Sequence, residues 1–264
     1  MYTFDYHRPE TLAEAAEIYA GADDPQFLAG GQTMIPVLKQ RLAMPSDVID
    51  LAQIDALRGI EAGKDSVSIG AMTPHSVVAA SAEIAKLIPA LAGLAAHIGD
   101  PHVRNRGTLG GSIANNDPSA DYPAAVVGLN ATVHTTSRSI EADDFFTGLF
   151  ETALEEGELV TKVDFPVPQS AAYVKFPNPA SRYAIAGVMV ARTGDGVRVA
   201  VAGAGPCVFR VRQMENALAK NFASDTIRNI AIAPDELNND LHASAEYRAH
   251  LVGVLARRAV ERAG

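Results

Sequence analysis

Ala29-Gly30-Gly31-Gln32-Thr33 and Thr108-Leu109-Gly110-Gly111-Ser112 are the two stretches that decide how this chain is read. Each follows a short apolar or extended run, lies beside a predicted helix start and ends in a small hydroxyl residue. Glycine permits positive φ and lets a ligand approach bare backbone N–H groups. A following helix adds the positive end of its dipole, which suits such a loop to phosphate. Two such loops fit an extended ligand with a central diphosphate, held from two sides. The same pairs also read as turns or as tight helix–strand packing. Neither is a P-loop, and Gly203-Ala204-Gly205 runs into Pro206, Cys207 and Val208, which spoils a dinucleotide fingerprint. A nucleotide ligand therefore requires a fold other than Rossmann or P-loop.

The 264 residues suffice for one large or two modest domains with a substantial core. Against 22 Lys and Arg stand 31 Asp and Glu, a formal charge of −9 that argues against a nucleic-acid partner. Cys207 is the only cysteine, so the chain alone can hold no disulfide, Cys-based iron–sulfur cluster or multi-Cys zinc site. Met1 to Tyr6 lacks the basic and apolar regions of a signal peptide. The Ala-rich stretch from Ile84 to Ile98 is broken by Lys86, Pro89 and His97, so no membrane insertion is expected. The expected setting is cytoplasmic and reducing.

Thr11-Leu12-Ala13-Glu14 has capping-box spacing and opens a helix ending near Gly21. Phe27 to Ala29 reads as a strand entering the first glycine loop, and Gln32 to Leu42 as a helix with Pro36 in its first turn. Strands are expected at Val48–Leu51 and Ser66–Ala71. Thr73-Pro74 predicts a helix start, with Thr73 the cap of a helix to about Ala80. A longer helix is expected over Ile84–Ala96, then a loop from Gly99 to Asp121. Asp117-Pro118 predicts a helix toward Leu129, placing Asp121 one turn inside it. Strands follow at Ala131–Thr136 and Leu159–Phe165, and Pro166-Val167-Pro168 makes a stiff break. Beyond it, Gly194-Asp195-Gly196 joins a hairpin, and helices are expected at Arg212–Lys220, Ser224–Ile232 and Ser244–Arg262.

Other chemistries have weaker support. Gly110 to Ala114 resembles a serine nucleophile elbow, but Ala114 stands where the second glycine belongs; Asp164 and His242 are the available triad partners in chain order. His97 and His102 pair with no carboxylate at helical metal spacing. Asp117 reads as a helix cap. Asp121, near the second glycine loop, reads equally as structural or as an acceptor for a ribose or ribityl hydroxyl.

Taken in order, further stretches carry a resemblance: Leu28 to Thr33; Ile69-Gly70-Ala71-Met72-Thr73; Arg104 to Ala114, running on to Asp117-Pro118-Ser119-Ala120-Asp121; Tyr173-Val174-Lys175-Phe176; and Pro179 to Ala184. Together they resemble the FAD-binding medium subunit of the molybdenum hydroxylases, the family of xanthine dehydrogenase and carbon monoxide dehydrogenase. The resemblance covers nearly the whole chain. It implies an α+β fold: a two-lobed FAD-binding domain of the vanillyl-alcohol-oxidase type over residues 1–168, with lobes of about 1–55 and 56–168. A smaller C-terminal domain with an antiparallel sheet and helices, residues 169–264, would complete the flavin site.

The resemblance also implies non-covalent FAD. The 2Fe–2S clusters and molybdopterin would sit on a small iron–sulfur subunit and a large molybdopterin subunit, in a dimer of heterotrimers. Electrons would pass from those centres through FAD to an external acceptor. By position, Leu28, Ala29, Gly30, Gly31, Gln32, Thr33 and Met34 would wrap the diphosphate with backbone N–H groups and the Thr33 hydroxyl. Thr108, Gly110, Gly111 and Ser112 would form the second cradle, Ser112 standing where many relatives have Asn. Asp121 matches the acidic residue on the FAD hydroxyls, and Ile98 and Val160 match apolar packing against flavin or adenine. Lys175 matches a lysine near the isoalloxazine, though it also reads as a surface strand lysine. Tyr183 is a looser match for a residue near the ring. No residue is expected to be catalytic and none to bind metal. A free-standing flavin oxidoreductase and a flavin-free scaffold of the same fold are the alternatives. The intact glycine loops and Asp121 weigh against the scaffold, and the lack of a substrate acid–base pair weighs against the free-standing enzyme.

Overall fold

Parallel pairing organises the N-terminal segment. In the computed structural model, which describes residues 1–264, β1 (Asp5–His7) and β2 (Pro25–Leu28) both run parallel to β3 (Asp47–Asp50), in the order β1-β3-β2. Helices α1 (Leu12–Gly21) and α2 (Met34–Lys39) lie in the connections. The α1 start is capped as its spacing predicts: Thr11 Oγ1 accepts from the Glu14 N–H at 3.1 Å. The Glu14 carboxylate reaches back one residue further than a standard box, to the Glu10 N–H at 2.8 Å. The helix expected over 32–42 is shorter at both ends, because Gly31 takes φ +73° and Arg41 φ +59°.

Strands β4 (Ile60–Ala62) and β5 (Ser66–Gly70) open a second sheet. The chain then forms six helices before returning to it: α3 (His75–Ala80), α4 (Ala82–Leu87), α5 (Pro89–Ala96), α6 (Pro101–Arg106), α7 (Leu109–Asn115) and α8 (Tyr122–Gly128). After them come β6 (Thr132–Thr135), β7 (Ser139–Glu141), α9 (Ala142–Phe145), the hairpin β8 (Phe146–Gly148) and β9 (Glu151–Thr152), and β10 (Val160–Pro166). The sheet is antiparallel in the order β4-β5-β10-β6-β7. Val67, Ile69, Val163 and Phe165 alternate inward and are fully buried against helical residues such as Val78, Leu91, Ile113 and Tyr122.

Several expected boundaries move for identifiable reasons. The single helix over 84–96 is two, because Ile88 precedes Pro89 and is held at φ −137°, ψ 67°. The loop from Gly99 to Asp121 contains α6 and α7. Thr73 does not cap α3; its hydroxyl bonds the Gly59 backbone, and Pro74 takes the cap position. Asp117 caps no helix either, and accepts instead from the Ser119 N–H at 2.8 Å in a side-chain turn. The helix starts four residues later, with Asp121 just before it rather than one turn inside. Ser224–Ile232 yields only a 3-10 turn over Ser224–Ile227, among β-branched residues and Asn229 that form helix poorly.

The C-terminal domain is an antiparallel sheet, β11 (Ser170–Pro177), β12 (Ala184–Thr193), β13 (Gly196–Ala202) and β14 (Phe209–Arg210), in that order. The expected hairpin joins β12 to β13, with Gly196 at φ +123°. One face, with Val188, Val190, Val199 and Val201, packs on α10 (Arg212–Lys220) and α11 (Ala245–Ala263). The other, with Met189, Ala191, Ala200 and Ala202, joins the core around α8. Packing there is close: a Cβ on Gly128 would lie 2.5 Å from Met189 Cγ. At the rim, Arg198 and Arg210 each meet Asp143 at 2.8 Å. No helix is long and apolar enough to cross a membrane.

Candidate functional site

A cleft of about 800 Å³ lies where the N-terminal segment, the helices α3, α6 and α7, and residues 180–183 of the C-terminal domain converge. Strand β2 delivers the chain to its first wall, Ala29 to Met34. The backbone N–H groups of Gly30, Gly31, Gln32, Thr33 and Met34 donate to no protein acceptor. Nor does the Thr33 hydroxyl cap the helix that follows. Backbone donors away from regular structure need a partner, from solvent or from a ligand, and a run of them in a concave turn suits an anion. At Gly31 the positive φ makes glycine necessary, and a Cβ would lie 2.9 Å from Ile35 Cγ1. At Gly30 the constraint is proximity: a Cβ would lie 2.1 Å from the Arg106 carbonyl oxygen, so the two glycine segments touch.

The second segment is built differently. Leu109 donates to the Thr73 carbonyl at 3.2 Å, Gly110 to the Ala71 carbonyl at 2.8 Å and Ser112 to the Thr108 carbonyl at 3.0 Å. Thr108 caps α7, its Oγ1 accepting from the Gly111 N–H at 3.2 Å. Thr108, Gly110, Gly111 and Ser112 do line the cleft, but the N–H groups of the last three are already committed, so a second cradle of bare N–H groups does not form. Glycine serves packing there: a Cβ on Gly110 would lie 2.5 Å from Ala71 Cβ.

His75 carries no signal in the sequence, where it is one histidine at an apolar helix start. It lines the cleft at 4% exposure, its backbone N–H bonded to the Gly107 carbonyl at 2.9 Å. Its Nδ1 is buried without a partner. A Cβ on Gly107 would lie 2.6 Å from its Nε2, so glycine there admits the ring. Burial, with a contribution from the Arg104 charge, pushes its pKa down to about 4. The ring is neutral near pH 7 and carries one N–H donor.

Asp121 lines the cleft; it holds the N-cap position of α8, but its side chain makes no capping hydrogen bond there. Its carboxylate accepts the Tyr173 hydroxyl at 2.5 Å on Oδ1 and the Lys175 ammonium at 2.7 Å on Oδ2. Lys175 also donates to the His97 carbonyl at 3.2 Å. Burial pushes the Asp121 carboxyl up, and the neighbouring ammonium opposes that. Lys175 is thus a buried strand residue behind Asp121, with a side chain 7% exposed, and it does not itself line the cleft. Leu28 does not line it either, whereas Ile98 and Val160 do. Tyr183 closes the C-terminal side, in a turn where Arg182 takes φ +63° and Asn178 Oδ1 accepts from Ala180 at 2.9 Å. Asp164 lies outside the cleft, bonded to His134 at 2.7 Å, and His242 lies beside Asn178 at 3.2 Å. The elbow-like Gly110–Ala114 segment therefore has no acid–base partners.

Free backbone donors on one wall, an orphaned neutral imidazole beneath the other and a buried carboxylate further along fit an elongated ligand with a diphosphate and several hydroxyls. A volume near 800 Å³ lies within the range of cofactor sites. Residues 2–168 match the family model for the FAD binding domain in molybdopterin dehydrogenase, and residues 171–263 match that for the CO dehydrogenase flavoprotein C-terminal domain. The nicotine 6-hydroxylase medium subunit of Paenarthrobacter nicotinovorans is 36% identical, over 98% of this chain and 96% of its own. The carbon monoxide dehydrogenase medium chain of Afipia carboxidovorans is 34% identical, over 99% and 96%. A chain in the crystal structure of quinoline 2-oxidoreductase from Pseudomonas putida 86 superposes with a TM-score of 0.90 at 30% identity, covering 99% of this chain and 96% of that one. With both segments matched and both lining the glycine-rich cleft, the chain belongs to the family of FAD-binding medium subunits of the molybdenum hydroxylases.

Proposed function

We propose that the cleft holds FAD non-covalently and that the chain is the electron-transfer station between a small iron–sulfur subunit and an external acceptor, with a large molybdopterin subunit upstream. The observation that carries this is the run of unpartnered N–H groups from Gly30 to Met34, opening on a cleft of about 800 Å³. Bound there, FAD would supply acceptance of electrons and their release to a second acceptor. Ala29 to Met34, with Leu28 behind them, would hold the diphosphate through backbone donors and the Thr33 hydroxyl. His75 would add one neutral donor. Thr108, Gly110, Gly111 and Ser112 would shape the facing wall, Ser112 through its side chain. Asp121 would accept from sugar or ribityl hydroxyls, Ile98 and Val160 would pack against flavin or adenine, and Lys175 would place positive charge behind Asp121.

The division into an FAD-binding domain over 1–168, with lobes of about 1–55 and 56–168, and a completing domain over 169–264 belongs to the same proposal. So do a dimer of heterotrimers and a cytoplasmic setting. Native purification tests it. The expected result is a yellow complex containing two further subunits, one with 2Fe–2S clusters and one with molybdopterin, and FAD released intact on denaturation. Flavin covalently retained by the denatured chain, or robust substrate turnover by the isolated chain, would overturn it.

A further inference from the structure

Asp121, just before α8, is the only carboxylate in the cleft whose two oxygens are both held by side chains of a strand of the C-terminal sheet, Tyr173 and Lys175 of β11. An ionised carboxylate offers about four acceptor sites, so each oxygen keeps capacity for a ligand hydroxyl. The pairing also fixes the plane of the carboxylate. On β12, Gly187 stands directly opposite Lys175, and a Cβ there would lie 2.1 Å from the Tyr173 hydroxyl oxygen. The glycine thus leaves the space through which the phenol reaches Asp121. Burial and the Asp121 charge push that phenol well above its ordinary range, so it stays a donor.

We propose that Tyr173 is a positioning residue: with its hydroxyl on Asp121 Oδ1, it holds the carboxylate in the orientation that binds the hydroxyl groups of FAD. The C-terminal domain then sets cofactor affinity without touching the cofactor at this point, since preorganised groups lose less on binding. The inference rests on the reading of Asp121 as an FAD contact.

The test titrates FAD into the full-length chain and follows flavin fluorescence, for wild type, Tyr173→Phe, Asp121→Asn and the double variant. Tyr173→Phe is expected to weaken FAD about 10-fold when Asp121 is present, the size of a lost hydrogen bond to a charged group. It is expected to have no further effect in the Asp121→Asn background. An equal loss in both backgrounds would mean a general packing role and overturn the inference. Full affinity in Tyr173→Phe would overturn it while leaving Asp121 as a contact. Full affinity in Asp121→Asn would overturn both. If Tyr173→Phe fails to fold, Lys175→Met removes the other anchor and carries the same prediction in the same two backgrounds.

Discussion

The two glycine loops look alike as sequence and behave differently as structure. The first leaves its backbone donors free and uses glycine to reach positive φ. In the second, the donors of Leu109, Gly110, Gly111 and Ser112 are spent on Ala71, Thr73 and Thr108, and Gly110 lets the helix approach the strand end. One loop keeps its donors unspent, while the other commits them to holding the wall that faces it. Glycine pairs therefore report close approach, and only the fate of the N–H groups tells what is approached.

Substitutions can break this contrast. Gly31→Val places a β-branched residue at φ +73° among the free donors. It is expected to lower FAD affinity about 100-fold in a flavin titration, with the apo chain still folded. Retained affinity would remove the first loop as the cradle. Gly110→Ala should act the other way, costing about 3 kcal/mol of stability through overpacking against Ala71. Urea melts of the apo chain check this, and an unchanged melt with lost FAD binding would invert the assignment.

Acid tests the second wall through His75. Its folded pKa of about 4 lies below the ordinary 6.5, so the unfolded chain takes up the proton first. The neutral ring's contribution is present above pH 6.5 and is lost as pH falls through 4. About 3 kcal/mol should disappear over that range, and His75→Phe should flatten this part of the stability profile. A profile as steep in His75→Phe as in wild type would place the proton uptake elsewhere. The smallest effects are a matched pair. Thr108→Val should cost about 1 kcal/mol of stability by removing the α7 cap, with FAD affinity little changed. Thr33→Val should spare stability, since its hydroxyl caps nothing, and weaken FAD about 5-fold. Identical profiles for the two would erase the distinction between the loops.

Local signals in the sequence go far where structure is local. The Thr11 cap, the Gly194-Asp195-Gly196 hairpin and the helix over Arg212–Lys220 need only neighbours along the chain, and they form as expected. The break at Ile88 was written in Pro89 but masked by the surrounding helix formers. What sequence could not display is set by distant partners. The commitment of the second loop depends on carbonyls at 71 and 73, and the Asp121 pairing on a strand more than fifty residues away. β1 is short and mostly exposed, so no alternation marks it. His75 becomes notable only once its ring is seen buried with an orphaned nitrogen.

The sheet face bearing Met189, Ala191, Ala200 and Ala202 shares one apolar core with the helices that carry the cleft. The two halves of the chain are therefore not independent modules joined by Pro166-Val167-Pro168. A chain stopped at Pro168 would leave α8 uncovered and should aggregate or stay partly unfolded, while the whole chain should melt in one cooperative transition. Loss of the C-terminal half would remove support for the cleft as well as its far wall, so the two halves are expected to persist or be lost together.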